Sequence, residues 1–397
     1  MGDKNKPTVL VYADTLLPPS ETFVRNQAEA LERFVPYYVG TRLLVKCGLS
    51  LPAERVLVIN AVDGIIGKIR EIPFRKFGYA PIYQRRLRKF NPVLLHAHFG
   101  PGGLRALSLA EWLGIPLITT FHGFDATIKD SYLKSSVSGR GSYVRRRHVL
   151  NQRGKLFLAV SQFIKGKMLE QGFSRHKIIV HYTGVDTDFF CFDGAVKREP
   201  IVLFTGRLVE KKGCEYLIHA MARVQASMPN AELVVIGDGC LRPGLETLAR
   251  EKLTRFRFMG MQTPETVRQW MNRAKVFSVP SVVADSGDAE GFGMVFAEAQ
   301  AMGCPVVSFS SGGIPEAVAH EETGLLAKER DTEALSNYIL RLLGNEAVWR
   351  QMSEAGRNRV CTLFDLKRQT KQLECIYDRV TSQDQSSPSP SNAAYAL

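Results

Sequence analysis

Residues 290–298 contain two glutamates and two glycines, in the order Glu290-Gly291-Phe292-Gly293 and then Glu298. Glycines at 291 and 293 would let the backbone approach a ligand closely, and the helix that follows would present free N–H groups at its positive end. Glu290 could accept hydrogen bonds from sugar hydroxyls. Glu298, about two helical turns later, could reach a ribose, as acidic residues do in dinucleotide-binding folds. Either glutamate alone is more often structural, so only the complete pattern indicates a sugar-nucleotide site.

A basic turn is the second candidate, Gly206-Arg207-Leu208-Val209-Glu210-Lys211-Lys212-Gly213, directly after the apolar residues 201–205. Arg207 can hold a phosphate through two parallel hydrogen bonds, and Lys212 supplies a mobile positive charge. Two cations at a strand–helix junction suit a diphosphate leaving group. A solvated basic turn is the equally weighted alternative.

Two further segments follow predicted strands. Gly312-Gly313-Ile314-Pro315-Glu316 places glycines before a helix that begins with proline, which favours an anion-facing helix start or a plain turn equally. Thr120-Phe121-His122-Gly123-Phe124-Asp125 puts a histidine at the carboxyl end of a strand. A lone histidine is more often structural, but a place at the edge of a cleft favours a functional His122.

Three short patterns are weaker. His96-Ala97-His98-Phe99-Gly100 could mimic metal ligation, but the sequence offers no third ligand at useful spacing, so we expect no metal. Asp186-Thr187-Asp188 matches the Asp-x-Asp of metal-dependent glycosyl transfer, but it leads into a linker and is interpreted as incidental. Gly237-Asp238-Gly239 lacks the full glycine fingerprint for NAD.

Short apolar runs alternate with amphipathic segments along the whole chain, which is typical of buried parallel strands in βαβ units. The first series of runs covers residues 9–12, 93–96, 116–121 and 155–160, and the second covers 201–205, 233–236, 255–259, 276–280 and 306–309. Two series predict two Rossmann-like doubly wound α/β domains that face a central cleft, where ligands lie beyond the strand ends. We place these domains at residues 1–192 and 193–380, joined by a linker at 189–200, with the last helix packing back on the first domain and a disordered tail at 381–397.

Composition limits the partners. The formal net charge of +13 fits an anionic partner, and basic clusters at residues 85–89 and 145–148 are either solvated helix faces or contacts for anionic lipid headgroups. Seven dispersed cysteines argue against a disulfide framework and predict a reducing, cytoplasmic compartment. No apolar run is long enough for a membrane span, and no nucleic-acid motif accompanies the charge.

Taken together, these segments resemble family-4 glycosyltransferases with the GT-B fold. Glu290-Gly291-Phe292-Gly293…Glu298 looks like the Glu-x7-Glu signature of that family, and the basic turn, the Gly-Gly-Ile-Pro-Glu segment and His122-Gly123 occur in its usual order. Pro19-Ser20-Glu21-Thr22-Phe23 and the two histidine segments are similar to bacterial exopolysaccharide enzymes of the colanic-acid and amylovoran type. The usual Asn-Gly-Val-Asp reads Thr183-Gly184-Val185-Asp186 here.

The resemblance implies a retaining transferase that moves a hexose from a UDP- or GDP-sugar to a lipid-linked saccharide, without metal or other cofactor, at the inner face of the cell membrane. Arg207 and Lys212 beside Gly206 would neutralise the donor diphosphate, with Glu298 on the ribose and Glu290 on the sugar. His122 would lie beside the reacting centre from the first domain, which would hold the acceptor. Backbone groups of Gly291, Phe292, Gly293, Met294 and Val295 would complete the donor contacts, and Ser20, Glu21 and His98 are the acceptor-side candidates.

Two other functions fit the same residues. A nucleotide-sugar 2-epimerase would share the fold but would need no acceptor. A non-catalytic subunit would bind the sugar nucleotide without turnover. Product analysis separates all three.

Overall fold

The computed structural model of the chain describes residues 6–16, 21–44, 51–60, 71, 73–74, 80–135 and 140–385. The chain forms two compact units, one of Met1–Thr120, Arg146–Leu158 and Thr370–Leu397 and the other of Phe121–Arg145 and Ala159–Gln369. Both units are discontinuous along the chain, so they do not test the predicted domain boundary between residues 192 and 193, which stays a prediction.

The first sheet has eight strands in the order β2-β3-β1-β5-β6-β7-β8, with β4 also paired to β3. The chain leaves β1 toward β3 on one side and later returns to β5 on the other, so the order of strands reverses between β1 and β5. The strands are β1 (Thr8–Tyr12), β2 (Thr15–Leu16), β3 (Val35–Leu43), β4 (Val56–Asn60), β5 (Pro92–His98), β6 (Leu117–Phe121), β7 (Leu156–Ala159) and β8 (Ile178–Val180).

The second sheet has six strands in the order β11-β10-β9-β12-β13-β14. Its described pairs are parallel, with Ile201 of β9 opposite Glu232 of β10, and Phe277 of β12 opposite Leu203 of β9. The chain goes from β9 outward to β11 and then crosses to β12 on the other side of β9. The strands are β9 (Glu199–Thr205), β10 (Glu232–Ile236), β11 (Phe256–Phe258), β12 (Ala274–Phe277), β13 (Val306–Phe309) and β14 (Gly324–Ala327).

Helices connect the strands in both sheets. Apolar residues three and four positions apart form the buried face of these helices, as with Leu217, Ile218, Met221 and Val224 of α8, which are fully buried. The described α-helices are α1 (Thr22–Glu29), α2 (Pro81–Arg88), α3 (Gly100–Leu113), α4 (Phe124–Thr127), α5 (Asp130–Ser135), α6 (Arg140–Arg153), α7 (Gln162–Glu170), α8 (Cys214–Ser227), α9 (Arg242–Lys252), α10 (Pro264–Arg273), α11 (Met294–Ala301), α12 (Ile314–Ala317), α13 (Thr332–Gly344), α14 (Glu346–Arg359) and α15 (Leu366–Gln385). None of the helices in this part of the chain is long and apolar enough to cross a membrane.

The predicted alternation of parallel strands and helices is confirmed, and every predicted strand is present within a few residues of its expected ends. The apolar pattern does not indicate β3, because Pro36 and Gly40 interrupt its run. The last helix continues to Gln385, five residues into the expected tail. Residues 381–385 are all polar, and the Thr381 and Ser382 hydroxyls donate back to the carbonyl oxygens of Tyr377 and Asp378. Residues 386–397 of that tail lie outside the described residues.

Candidate active site

The candidate donor-binding residues lie between β9 and β12, where the order of strands in the second sheet reverses. The basic turn follows β9, and residues 278–293, called here the acidic loop, follow β12. These two strands are neighbours. Ligands of open α/β sheets bind beyond the carboxyl ends of the strands at such a point. The two segments that were singled out from the sequence therefore come together where the topology provides a crevice.

Helix α11 begins at this crevice. Its N-cap is Gly293, which has a left-handed φ of 85° that favours glycine, and no side chain caps the helix. The first N–H groups of a helix have no partner within the helix and carry partial positive charge. Met294 and Val295 begin the helix, so their N–H groups are suited to donate hydrogen bonds to an anion or a sugar oxygen.

Lys212 and Glu290 form an ion pair across the two loops. Lys212 Nζ lies 2.6 Å from Glu290 Oε2, and both side chains are 13% exposed. Burial by itself would raise the pKa of Glu290, but the positive charges of Lys212 and Lys211 outweigh it and lower that pKa to about 2. Glu290 is therefore a permanently ionised carboxylate whose role is to accept hydrogen bonds.

Glu298 has the opposite electrostatic environment. Burial raises the pKa of its carboxyl group to about 7, although the charge of Lys212 acts to lower it. No described side chain or backbone group is hydrogen-bonded to this carboxyl group. A carboxyl group without a partner among the described residues, about one turn into α11, fits contact with ligand hydroxyls.

Arg207 is exposed, and its guanidinium makes no hydrogen bond or ion pair with the described residues. It begins the turn in which Lys212 is engaged with Glu290. Gly206 lies beneath the Lys212 chain, because a Cβ at Gly206 would be 3.6 Å from Lys212 Cδ. Arg207 is thus the cation of this turn that a phosphate could engage without displacing a protein partner.

Lys211 holds the acidic loop in place, a role that the sequence did not indicate. Lys211 Nζ lies 3.0 Å from Asp288 Oδ1, and the lysine is 9% exposed. The backbone N–H of Asp285 also donates to Glu210 Oε1 at 2.9 Å. The two adjacent lysines look alike in sequence, and only their different partners distinguish a loop clamp from a site residue.

Backbone segments at the crevice approach one another too closely for side chains. A Cβ at Gly291 would lie 2.1 Å from the carbonyl oxygen of His122, and a Cβ at Gly313 would lie 2.1 Å from the carbonyl oxygen of Gly291. Ser161, the N-cap of α7, donates from Oγ to the same Gly291 oxygen at 2.5 Å. The glycines of both motifs therefore allow close backbone packing.

His122 lies directly beside the Glu290–Gly291 segment as a result. The backbone N–H groups of His122 and Gly123 donate to Asp125 Oδ1 at 3.2 Å and 2.9 Å. Asp125 is buried, so it fixes the turn that carries the histidine. Asp125 belongs to the predicted segment, but its part in shaping the turn could be recognised only from the structure.

Glu316 gives the Gly-Gly-Ile-Pro-Glu segment a structural role. Its carboxylate accepts from the backbone N–H groups of Gln162 and Phe163 at 2.7 Å and 2.8 Å, and from Tyr182 Oη at 3.0 Å. These bonds satisfy the start of α7 with a favourable negative charge. The segment thus acts as a helix cap, and the helix that it begins, α12, has only four residues.

The Phe292 side chain fixes the end of the acidic loop. Its ring is buried and packs against Tyr182 and Phe364 at centroid distances of 5.4 Å and 4.9 Å. Only its backbone is suited to the predicted donor contact.

Two weak sequence patterns have structural explanations. A Cβ at Gly237 would lie 1.9 Å from the carbonyl oxygen of Gly206, so this glycine allows the turns after β9 and β10 to cross. Asp186 Oδ1 accepts from the N–H groups of Asp188 and Phe189, and Asp188 pairs with Lys367 at 2.7 Å. Gly184 packs against Leu366, whose Cα would be 2.4 Å from an added Cβ.

The acceptor-side candidates belong to the first unit. Ser20 lies outside the described residues. Glu21 is the N-cap residue of α1, although its side chain does not cap the helix. His98 is buried and stacks on His96 at a centroid distance of 4.6 Å, and burial lowers the pKa of His98 to about 3.

His96 has a structural environment. Its Nδ1 lies 2.6 Å from Tyr377 Oη and its Nε2 lies 2.7 Å from Thr120 Oγ1. No group of three His, Cys, Asp or Glu residues in the described part of the chain is arranged to hold a metal ion.

The fold and this site define a class of protein. A sucrose-phosphate synthase from Thermosynechococcus elongatus matches with a TM-score of 0.75 and 22% identity over 95% of this chain and 100% of its own. The Anabaena protein HepE, in complex with UDP and glucose, matches with a TM-score of 0.74 and 19% identity over 94% and 100%. The fold is therefore that of GT-B glycosyltransferases.

The sequence comparisons give the family. The family described as Glycosyltransferase Family 4 matches residues 20–189, and the one described as Glycosyl transferases group 1 matches residues 199–345. The amylovoran biosynthesis glycosyltransferase AmsK of Erwinia amylovora is 30% identical over 309 residues, which cover 74% of this chain and 72% of AmsK. The chain belongs to the family-4 glycosyltransferases.

Proposed function

We propose that this glycosyltransferase moves a hexose from a UDP- or GDP-sugar, with retention of configuration, to a lipid-linked saccharide in exopolysaccharide biosynthesis. The observation that carries the proposal is the set of charges at the β9–β12 crevice. Arg207 is exposed in the turn after β9, and the Lys212–Glu290 pair, only 13% exposed, joins that turn to the loop before α11. Glu298, which has no hydrogen-bond partner among the described residues, lies within α11, whose start has no side-chain cap. Such a site offers cations for a diphosphate and carboxylates for hydroxyls.

The diphosphate would be bound by Arg207, Lys212 and the N–H groups that begin α11. In the transition state the sugar carries oxocarbenium-like positive charge, and negative charge builds on the departing diphosphate. Fixed donors aimed at that charge stabilise the transition state more than the ground state. Because these cations belong to the chain itself, we propose that transfer proceeds without a metal ion.

Glu290 would bind the sugar and would not act as a base. A carboxylate whose pKa is about 2 has little tendency to take a proton at neutral pH. The ion pair with Lys212 also occupies one of its oxygens, which makes it a poor nucleophile. We therefore propose a same-face mechanism, in which the departing diphosphate interacts with the acceptor hydroxyl, and His122 lies beside the reacting centre.

The acceptor and pathway are proposed from the relatives. AmsK is named for amylovoran biosynthesis, and HepE has a solved complex with UDP and glucose. A saccharide on a lipid carrier is the acceptor that agrees with the resemblance, and it would locate the reaction at the inner face of the cell membrane.

The test is transfer by the purified chain. The protein is incubated with a panel of UDP- and GDP-sugars and a membrane lipid extract. Released nucleotide identifies the donor, mass spectrometry identifies the extended lipid, and NMR of the anomeric proton gives the configuration. We expect an α-linked product from an α-linked donor. Sugar conversion without acceptor would indicate an epimerase, nucleotide binding without turnover would indicate a binding subunit, and a β-linked product would refute retention.

A further inference from the structure

Helix α2 in the first unit presents an unusual outer face. Residues 82, 85, 86 and 89 recur at helical spacing on its exposed side, and Tyr83, Gln84 and Leu87 form the buried side. Ile82 is 77% exposed, the most exposed large hydrophobic side chain among the described residues. The isoleucine is flanked by the exposed side chains of Arg85 and Arg86.

The neighbouring helices extend this face with an aromatic residue. The Arg88 guanidinium lies 4.2 Å from the centre of the Trp112 ring of α3, which is 37% exposed. On the far side, Glu111 is paired with Arg153 of α6 at 2.5 Å. The only acidic residue next to Trp112 in sequence is therefore neutralised by an arginine.

The charge around this face is strongly one-sided. Between Glu71 and Glu111 the sequence contains no acidic residue and seven lysines and arginines. A large part of the net charge of +13 is thus concentrated in one segment. Electrostatic attraction to an anionic partner follows. The exposed Ile82 on the same helix favours an anionic partner that also offers an apolar environment.

We propose that this face, formed by Ile82, Arg85, Arg86, Lys89 and Trp112 and called here the basic face, docks the protein on an anionic lipid bilayer. A phospholipid surface satisfies both components, since headgroup phosphates attract the basic side chains while Ile82 enters the boundary of the acyl chains. Tryptophan is enriched at that depth because it has an apolar body and a polar N–H group. A nucleic acid would use the charges but would leave Ile82 in water.

The inference goes beyond the proposed transfer reaction, and its test needs no donor or acceptor. The full-length protein is mixed with vesicles of phosphatidylcholine alone, or of phosphatidylcholine with phosphatidylglycerol, and bound protein is measured by co-sedimentation. We expect binding to the anionic vesicles only. Binding should weaken as salt is added, because screening reduces the attraction between exposed charges.

Three variants separate docking from general charge attraction. Arg85→Gln with Arg86→Gln should weaken partitioning about 25-fold, because each charge near an anionic surface contributes about fivefold. Ile82→Ser should weaken it about fivefold at unchanged net charge, because it removes the inserted apolar group. The matched control is Arg223→Gln with Arg250→Gln, which removes two exposed arginines from the other unit and should change partitioning less than twofold.

Each outcome decides the proposal. Loss of vesicle binding in both basic-face variants, with circular dichroism unchanged and the control bound normally, supports docking through this face. Equal loss in the control pair would refute the face and leave net charge as the cause. Unchanged binding of Ile82→Ser would refute insertion, and tighter binding to duplex DNA than to anionic vesicles would replace the lipid surface by a nucleic acid.

Discussion

Replacing Lys212 by methionine should expose the energetic importance of its contact with Glu290. Methionine keeps an apolar chain of similar length over Gly206 but leaves the buried Glu290 carboxylate without its main counter-charge. Removing one partner of a buried ion pair costs roughly 3–5 kcal/mol, because the remaining charge is neither solvated nor paired. The pKa of Glu290 gives a second estimate of this stabilisation, of the same magnitude.

This second estimate comes from proton linkage, because the folded and unfolded states hold the Glu290 proton with different affinities. The pKa of Glu290 falls from an ordinary 4.5 to about 2 in the folded protein. The difference of about 2.5 units corresponds to about 3 kcal/mol of stabilisation when the group is ionised in both states. Because the folded pKa is the lower one, this stabilisation is complete above pH 4.5 and is lost as the pH falls through 2. At pH 3 only about 1.5 kcal/mol should remain.

The assay is urea unfolding of the wild type, Lys212→Met, Glu290→Gln and the double variant. The probe must follow the unit that carries the pair, since a chain of two units need not unfold in a single transition. We expect Lys212→Met to lose about 3 kcal/mol at neutral pH and clearly less at pH 3. The double variant should recover most of that loss, because a carboxamide has no charge to leave unpaired. A double variant no more stable than Lys212→Met, or a loss that does not change with pH, would refute the reasoning.

Three further predictions concern the same site. Arg207→Ala should lower turnover about a hundredfold or more. Its free energy of unfolding should stay unchanged within about 0.5 kcal/mol, because the exposed guanidinium forms no hydrogen bond or ion pair with a described residue. Arg250→Ala is the matched control for activity. Glu298→Gln should raise the free energy of unfolding by about 3 kcal/mol at pH 8 and about 1 kcal/mol at pH 5, because the raised pKa of Glu298 makes its ionised form costly above pH 4.5. The same variant should bind the nucleotide more weakly. Equal stability of the variant and the wild type at pH 8 would contradict this. Gly291→Ala should cost about 1–3 kcal/mol in thermal or urea unfolding because its Cβ would meet the His122 carbonyl oxygen, whereas Gly244→Ala in α9, where a Cβ meets nothing within 4 Å, should be neutral or slightly stabilising.

The sequence predicted those parts of the molecule that depend on local pattern. The strands on either side of the crevice are continuous apolar runs, so β9 and β12 and the loops after them were located correctly. The sequence could not predict that Lys211 pairs with Asp288 while Lys212 pairs with Glu290, because both partners are far away in sequence. The same limit applies to Gly237, where a glycine is required because the turn after β10 passes directly against the turn after β9.

The environments of Glu290 and Glu298 show why a signature of two carboxylates can mislead when it is considered without structure. Equal spacing and charge would suit an acid–base pair, as in a glycosidase, whose two carboxyl groups flank the bond that breaks. Here Lys212 and Lys211 keep Glu290 ionised, while burial raises the pKa of Glu298 to about 7. Both carboxyls belong to one wall of the crevice, at the start of α11 and within it, so they are not placed to flank a bond. Their shared position on one wall, rather than their pKa values, therefore favours ligand binding by both residues. We expect nucleotide affinity to change with pH as Glu298 gains or loses its proton.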